Sequence, residues 1–117
     1  MLLATVEEFG RDPVGRFVCG ERFVHFCVAP KLWGIVVWDR PAEADVLEIY
    51  RSLPFEFGPP AVPHAAVIDA SRMEGSEPAA FTRIERFLTK YGAPLQHSIL
   101  RLALVKPGGF AGAIVAG

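Results

Sequence analysis

Five side chains of this sequence are suited to nucleophilic, acid–base or metal chemistry: His25, His64, His97, Cys19 and Cys27. A zinc site needs imidazoles, thiolates or carboxylates at short, regular spacings. The eight-residue step from Cys19 to Cys27 matches no zinc pattern, and no Cys or carboxylate stands at ligand spacing from any histidine. No metal and no cofactor is therefore expected. A nucleophilic Ser or Cys needs a base within reach and donors for an oxyanion. The chain has no Gly-x-Ser-x-Gly elbow. Cys27 and His25 lie two apart in an extended apolar run and so share a face. A Cys–His pair stays open there, against the commoner outcome of a buried thiol. His25 itself, among large apolar residues, reads as a hydrogen-bonded core histidine. No polar cluster can be assembled from these residues, and the chain is not expected to be an enzyme.

Two other stretches deserve a chemical reading. Residues 106–112, Lys-Pro-Gly-Gly-Phe-Ala-Gly, put glycines between a strand and a helix. Backbone amides there could face a phosphate, but the run is neither a dinucleotide fingerprint nor a Walker motif, and close helix–strand packing explains it equally well. Residues 67–76 run from an apolar strand toward a helix start, the rim at which open α/β sheets bind ligands and partners. Asp69 and Ser71 can cap that turn, while Glu74, Gly75, Ser76 and Glu77 complete a candidate regulatory or docking loop. A phosphate on Ser71 or Ser76 would meet repulsion from Asp69, Glu74 and Glu77 and attraction from a helix N-terminus.

The elements that must position these residues follow from periodicity. Residues 23–28 and 32–38 are β-rich apolar runs joined by Ala29-Pro30-Lys31, which predicts a hairpin. Trp33 and Trp38 lie five apart on its second strand and face opposite sides. One is expected in the core and the other at an interface. Pro41, Glu43 and Asp45 open a helix whose Val46, Ile49, Tyr50 and Leu53 form one stripe. Residues 54–63, with four prolines, predict an irregular connection. Residues 65–69 predict a central strand, followed by a loop over 70–76. Ser76-Glu77-Pro78 starts a second helix, capped by a hydroxyl or carboxylate, that Gly92 and Pro94 stop. Residues 99–105 predict another strand, and residues 110–117 begin a third helix. Residues 1–16 read as a loop or short edge element. Strands alternating with helices give an α/β fold, a mixed sheet covered by helices with parallel pairing after the hairpin.

Composition bounds the rest. At 117 residues the chain is one domain, and 51% hydrophobic residues with nine Phe support a real core. The net charge of −1 comes from scattered residues, which argues against a nucleic-acid face. Two cysteines make no disulfide framework, so free thiols are expected. No apolar run reaches the length of a membrane span, and no signal peptide is seen. A cytoplasmic location is expected. The uncharged stretch 107–117 lacks the polar face of a terminal helix, and residues 1–117 are expected to be an N-terminal fragment of a longer protein.

The hairpin, the helix, "AAVIDASRMEG", the amphipathic helix and "LRLALVKPGG" together resemble STAS-like domains, the family of the anti-sigma-factor antagonists. In that family a strand ending in an Asp-x-Ser-like turn leads to a regulatory helix N-terminus, and Asp69 and Ser71 match the turn. The family's phosphorylatable Asp-Ser-Ser-Gly is replaced by Glu74-Gly75-Ser76-Glu77, a departure at the modification site. "LWGIVVWDRPAEAD", "PHAAVIDASRMEGSEPAAF" and "LRLALVKPGGFAGAIVAG" look like the N-terminal input regions of bacterial AraC-type transcriptional regulators. That resemblance implies a dimeric regulatory domain, partnered by itself or another regulatory protein. It also implies contact with DNA only through a separate C-terminal domain. A small-molecule or lipid-binding module of related fold is the alternative.

Overall fold

The computed structural model describes residues 1–58 and 61–105. It is an α/β fold built on one six-stranded mixed sheet whose spatial order, β1 to β6, follows the chain. The strands are β1 (Leu2–Leu3), β2 (Arg16–Cys19), β3 (Phe23–Ala29), β4 (Leu32–Asp39), β5 (His64–Met73) and β6 (Ile99–Val105). β2, β3 and β4 are antiparallel, with the expected hairpin turning at Pro30-Lys31. β4, β5 and β6 are parallel, as the alternation with helices requires.

The helices are α1 (Val6–Arg11), α2 (Glu43–Ile49) and α3 (Pro78–Ser98), with a 3-10 turn at Leu53–Glu56. α1 was legible but not expected: Thr5 and Glu8 form a capping box, the Thr5 hydroxyl accepting from the Glu8 N–H and the Glu8 carboxylate from the Thr5 N–H. α3 runs past Gly92 and Pro94, where a stop was expected. Pro94 removes one N–H from the helix, but the last turn is held from outside, the Ser98 hydroxyl donating to the Phe57 carbonyl at 3.2 Å. At the start of α3, Pro78 takes the first turn as expected, but no side chain caps it. The third helix expected over residues 110–117 and the glycine run 106–112 lie outside the described residues.

Strand alternation divides the sheet into two faces of different character. On one, Val18, Phe23, His25, Cys27, Trp33, Ile35, His64 and Ala66 are all buried. Phe9 of α1 packs edge-on to Trp33 and His25, and Phe55 of the 3-10 turn packs on Phe9. α2 and α3 are joined on the same side by Tyr50 stacked on Phe87 and by the Arg83–Glu43 ion pair at 3.1 Å. The opposite face carries no helix among the described residues. The described helices therefore lie on one face of the sheet.

Candidate functional site

Two regions stand out, and the first lies inside. His25 is carried by β3 and His64 opens β5, two strands separated only by β4. The 3-10 turn drops Glu56 between them, because Pro54 and the preceding helix end turn the chain back over the sheet. One carboxylate oxygen lies 2.6 Å from Nε2 of His25 and the other 2.9 Å from Nε2 of His64. Nδ1 of His25 is 2.7 Å from the Ser52 hydroxyl, and Nδ1 of His64 is 2.7 Å from the Val62 carbonyl. His25 and Ser52 are fully buried, and Glu56 is 2% exposed. Trp33 sits between the imidazoles, 5.7 Å from the His25 ring and 5.4 Å from that of His64. Its indole N–H finds no partner among the described residues.

A buried carboxylate is costly unless its oxygens are satisfied. Burial pushes the Glu56 acidity down in strength, but the hydrogen bonds from His25 and His64 outweigh it and hold the carboxyl below its ordinary 4.5. Burial likewise opposes charge on His64, yet Glu56 and the Val62 carbonyl raise that imidazole above 6.5. The chain Ser52–His25–Glu56 has the members of a hydrolytic triad. Its Ser52 is sealed from solvent among the described residues. Cys27 shares the His25 face, as its spacing requires, but its thiol donates to the Ala29 carbonyl at 3.2 Å. Burial, with the Glu56 charge, pushes that thiol up to about 11 and keeps it protonated.

The polar cluster escaped the sequence reading. Its members stand at positions 25, 52, 56 and 64, and no local spacing joins Glu56 to either histidine; Glu56 lay in a stretch read only as a proline-rich connection. The one available signal was a Glu flanked by Phe55 and Phe57, an acid in an apolar setting. His97 is exposed near the end of α3, away from this group. No group of three or more His, Cys, Asp or Glu suited to a metal ion occurs among the described residues.

The second region is the uncovered face. Phe17 of β2, Val24, Phe26 and Val28 of β3, Val36 of β4, Ala65 and Val67 of β5, and Ala103 and Val105 of β6 point there. All are half-buried or exposed, Val28 reaching 49%. The Phe26 ring lies across Gly34 so closely that a Cβ on Gly34 would come within 2.3 Å of it. The glycine is thus required for the cross-strand aromatic to lie flat. Among the described strand residues of this face the charges are Asp69 and Arg72 on β5, Arg72 level with the outward Trp38, and Arg101 on β6.

The loop expected over residues 70–76 is shorter than its sequence suggested. β5 continues through Ser71 and Arg72 to Met73, because Arg72 pairs with Trp38 and Met73 with Asp39 on the long neighbour β4. Asp69 accepts from the Ser71 N–H at 3.0 Å and the Ser71 hydroxyl at 2.6 Å, which lowers its pKa. The remainder is strapped to the end of β4: the Glu74 N–H donates to Asp39 and the Glu77 N–H to Pro41. Gly75 is buried with φ 134°, a conformation that favours glycine. Ser71, Glu74 and Glu77 are exposed and Ser76 half-buried. Of the two tryptophans, Trp33 is the core residue and Trp38 is half-buried.

Shallow grooves of about 350 and 250 Å3 run along α3, the first lined by Thr82, Glu85, Arg86, Thr89 and Lys90. Beneath α1 and the 3-10 turn the interior is filled by Phe9, Trp33, His25 and His64. No helix of the described residues is long and apolar enough to cross a membrane. Comparison of the chain with family models, curated proteins and solved structures gave no match.

Proposed function

We propose that this chain is a regulatory interaction domain that works by self-association through the sheet face that the described residues leave uncovered. The observation that carries the reading is the continuous apolar outer surface of β2 to β6, with Phe17, Phe26, Val28, Val36, Val67 and Val105 facing solvent. Contiguous apolar patches of this kind are rare on monomers and mark contact surfaces.

Size and charge favour a second copy as the occupant. Five strands at about 4.8 Å spacing and about 3.3 Å per residue give a face of roughly 20 by 25 Å. Side-chain corrugation brings its accessible area toward the about 800 Å2 per partner of a standard interface. Arg101 is level with Ala65 and Asp69 with Val105, so the two charges sit at opposite ends of the strands. A two-fold axis in the interface, perpendicular to the strands, reverses one sheet over the other and brings each Arg101 toward the partner's Asp69. The small net charge of −1 leaves no long-range repulsion to overcome.

Placed in a transcriptional regulator of the AraC type, as residues 32–45, 63–81 and 100–117 suggest by resemblance, such a domain would pair two copies while another domain reads DNA. The Asp69–Glu77 rim, exposed at Ser71 and Glu74, would be the surface for a second regulatory protein. Val67→Asp tests the interaction reading. It puts a carboxylate in the middle of the face, and chromatography with light scattering should shift from dimer to monomer, affinity falling by roughly 100-fold or about 3 kcal/mol. A wild-type monomer, or a Val67→Asp dimer of undiminished affinity, overturns it. An in-frame helix-turn-helix downstream of Gly117 is what the regulator placement requires.

A further inference from the structure

The buried cluster carries an inference that is independent of the interaction face. Hydrogen-bond bookkeeping fixes where the His64 protons lie. The Val62 carbonyl can only accept, so Nδ1 of His64 must carry a hydrogen. An ionised Glu56 also only accepts, so Nε2 of His64 must carry one as well, and His64 is an imidazolium. His25 differs, because its Nδ1 partner is a hydroxyl that can donate. Ser52 lies 2.7 Å from that nitrogen and 3.4 Å from its other acceptor, the Ile49 carbonyl. That hydroxyl can give its hydrogen to either, and an ionised Glu56 accepts from Nε2 of His25 at 2.6 Å. Glu56 is thus one buried anion held by N–H donors from both imidazoles.

Among the described residues, few groups face this cluster. β3 presents His25 and the neutral Cys27 thiol, β4 the Trp33 indole, β5 His64, the 3-10 turn Glu56 and the end of α2 Ser52. α1 contributes Phe9 only. The charges acting on Glu56 are those of His25 and His64, and the charge acting on His64 is that of Glu56. The His64 proton thus supplies both a hydrogen bond and a charge to the buried carboxylate from the β5 side.

Glu56 also couples the cluster to α3. The next residue, Phe57, packs against Phe87 at 5.9 Å and Tyr91 at 5.6 Å, and its carbonyl accepts from Ser98 at the far end of the helix. We propose that Glu56, His25 and His64 form a proton-operated clasp: the proton on His64 holds the 3-10 turn on the sheet, and its loss at alkaline pH frees the turn and the α3 contacts that Phe57 carries.

The sign follows from linkage. The folded chain holds the His64 proton more tightly than the unfolded chain, so the stabilisation is complete below the ordinary 6.5 and is lost as pH rises through the raised folded value. Within that window the unfolding constant should rise about tenfold per pH unit, the signature of one linked proton.

The test is imidazole nitrogen NMR of the full chain with a parallel denaturation series from about pH 6 to about pH 9.5. At neutral pH, both ring nitrogens of His64 should be protonated. As His64 titrates, the ring signals of Phe57, Phe87 and Tyr91 should move with the same midpoint. His64→Gln keeps an amide donor for Glu56 but cannot titrate, and should flatten the alkaline slope, whereas His97→Gln should leave it intact. A neutral His64 at neutral pH, α3 aromatic signals that ignore its titration, or an undiminished slope in His64→Gln each overturns the clasp. Should His64→Gln fail to fold, the wild-type nitrogen and aromatic signals decide alone.

Discussion

The two faces of β3 are one residue apart and opposite in character. Phe23, His25 and Cys27 point inward and are buried; Val24, Phe26 and Val28 point outward and are half-buried or exposed. The inward side holds the ionisable groups of the strand and the outward side is wholly apolar, the reverse of the usual half-solvated sheet. Each side is stable only under its own condition. Buried polar groups must be satisfied, and here Glu56, His25, His64 and Ser52 satisfy one another. An exposed apolar face is relieved only by covering it, and among the described residues nothing covers it. The sealed face explains why the fold closes, and the open one is where the proposed second copy would bind.

Breaking the sealed side has the largest expected effect. Glu56→Ala leaves two buried imidazoles without their acceptor, and urea denaturation should show a loss of about 3–5 kcal/mol with the oligomeric state of any folded fraction unchanged. A loss below about 1 kcal/mol would mean that the cluster is not closed as described. The acid limb of the stability profile comes next. The Glu56 carboxyl is held below 4.5, so its contribution is complete above that pH and falls as pH drops toward the folded value, by about 1.4 kcal/mol per pH unit within the window. The urea midpoint of wild type should fall faster there than that of Glu56→Gln, because other carboxylates titrate in both. The smallest effect belongs to the open side. Arg101→Glu should weaken association by about 0.5–1 kcal/mol, more at low salt, with monomer stability unchanged. Combining it with Asp69→Arg should restore the loss if the proposed two-fold arrangement holds.

The sequence told much about the frame and little about the sealed site. The hairpin, α2 and the parallel strands were legible because each is a local pattern: a turn at Pro30-Lys31, a stripe from Val46 to Leu53, apolar runs at 65–69 and 99–105. Where a distant partner decides, local signals misled. β5 outruns its apolar run because β4 is long enough to pair with Arg72 and Met73. α3 passes Pro94 because Ser98 is tied to Phe57. α1 was missed although Thr5 and Glu8 spell its cap, since Gly10 and Pro13 drew attention to loop character. Of the candidate site residues, Asp69 and Ser71 do bond each other, but inside β5 and not in the turn they were expected to cap. The His25–Glu56–His64 group joins residues 8 and 31 positions apart and has no signature that one chain could display.

The central claim is that the uncovered face pairs two copies of the chain. Sedimentation equilibrium of the wild-type protein at neutral pH, over a range of concentrations, tests it most directly. The account predicts a mass rising with concentration toward twice the 12.8 kDa of the chain. A mass that stays at 12.8 kDa throughout would contradict it.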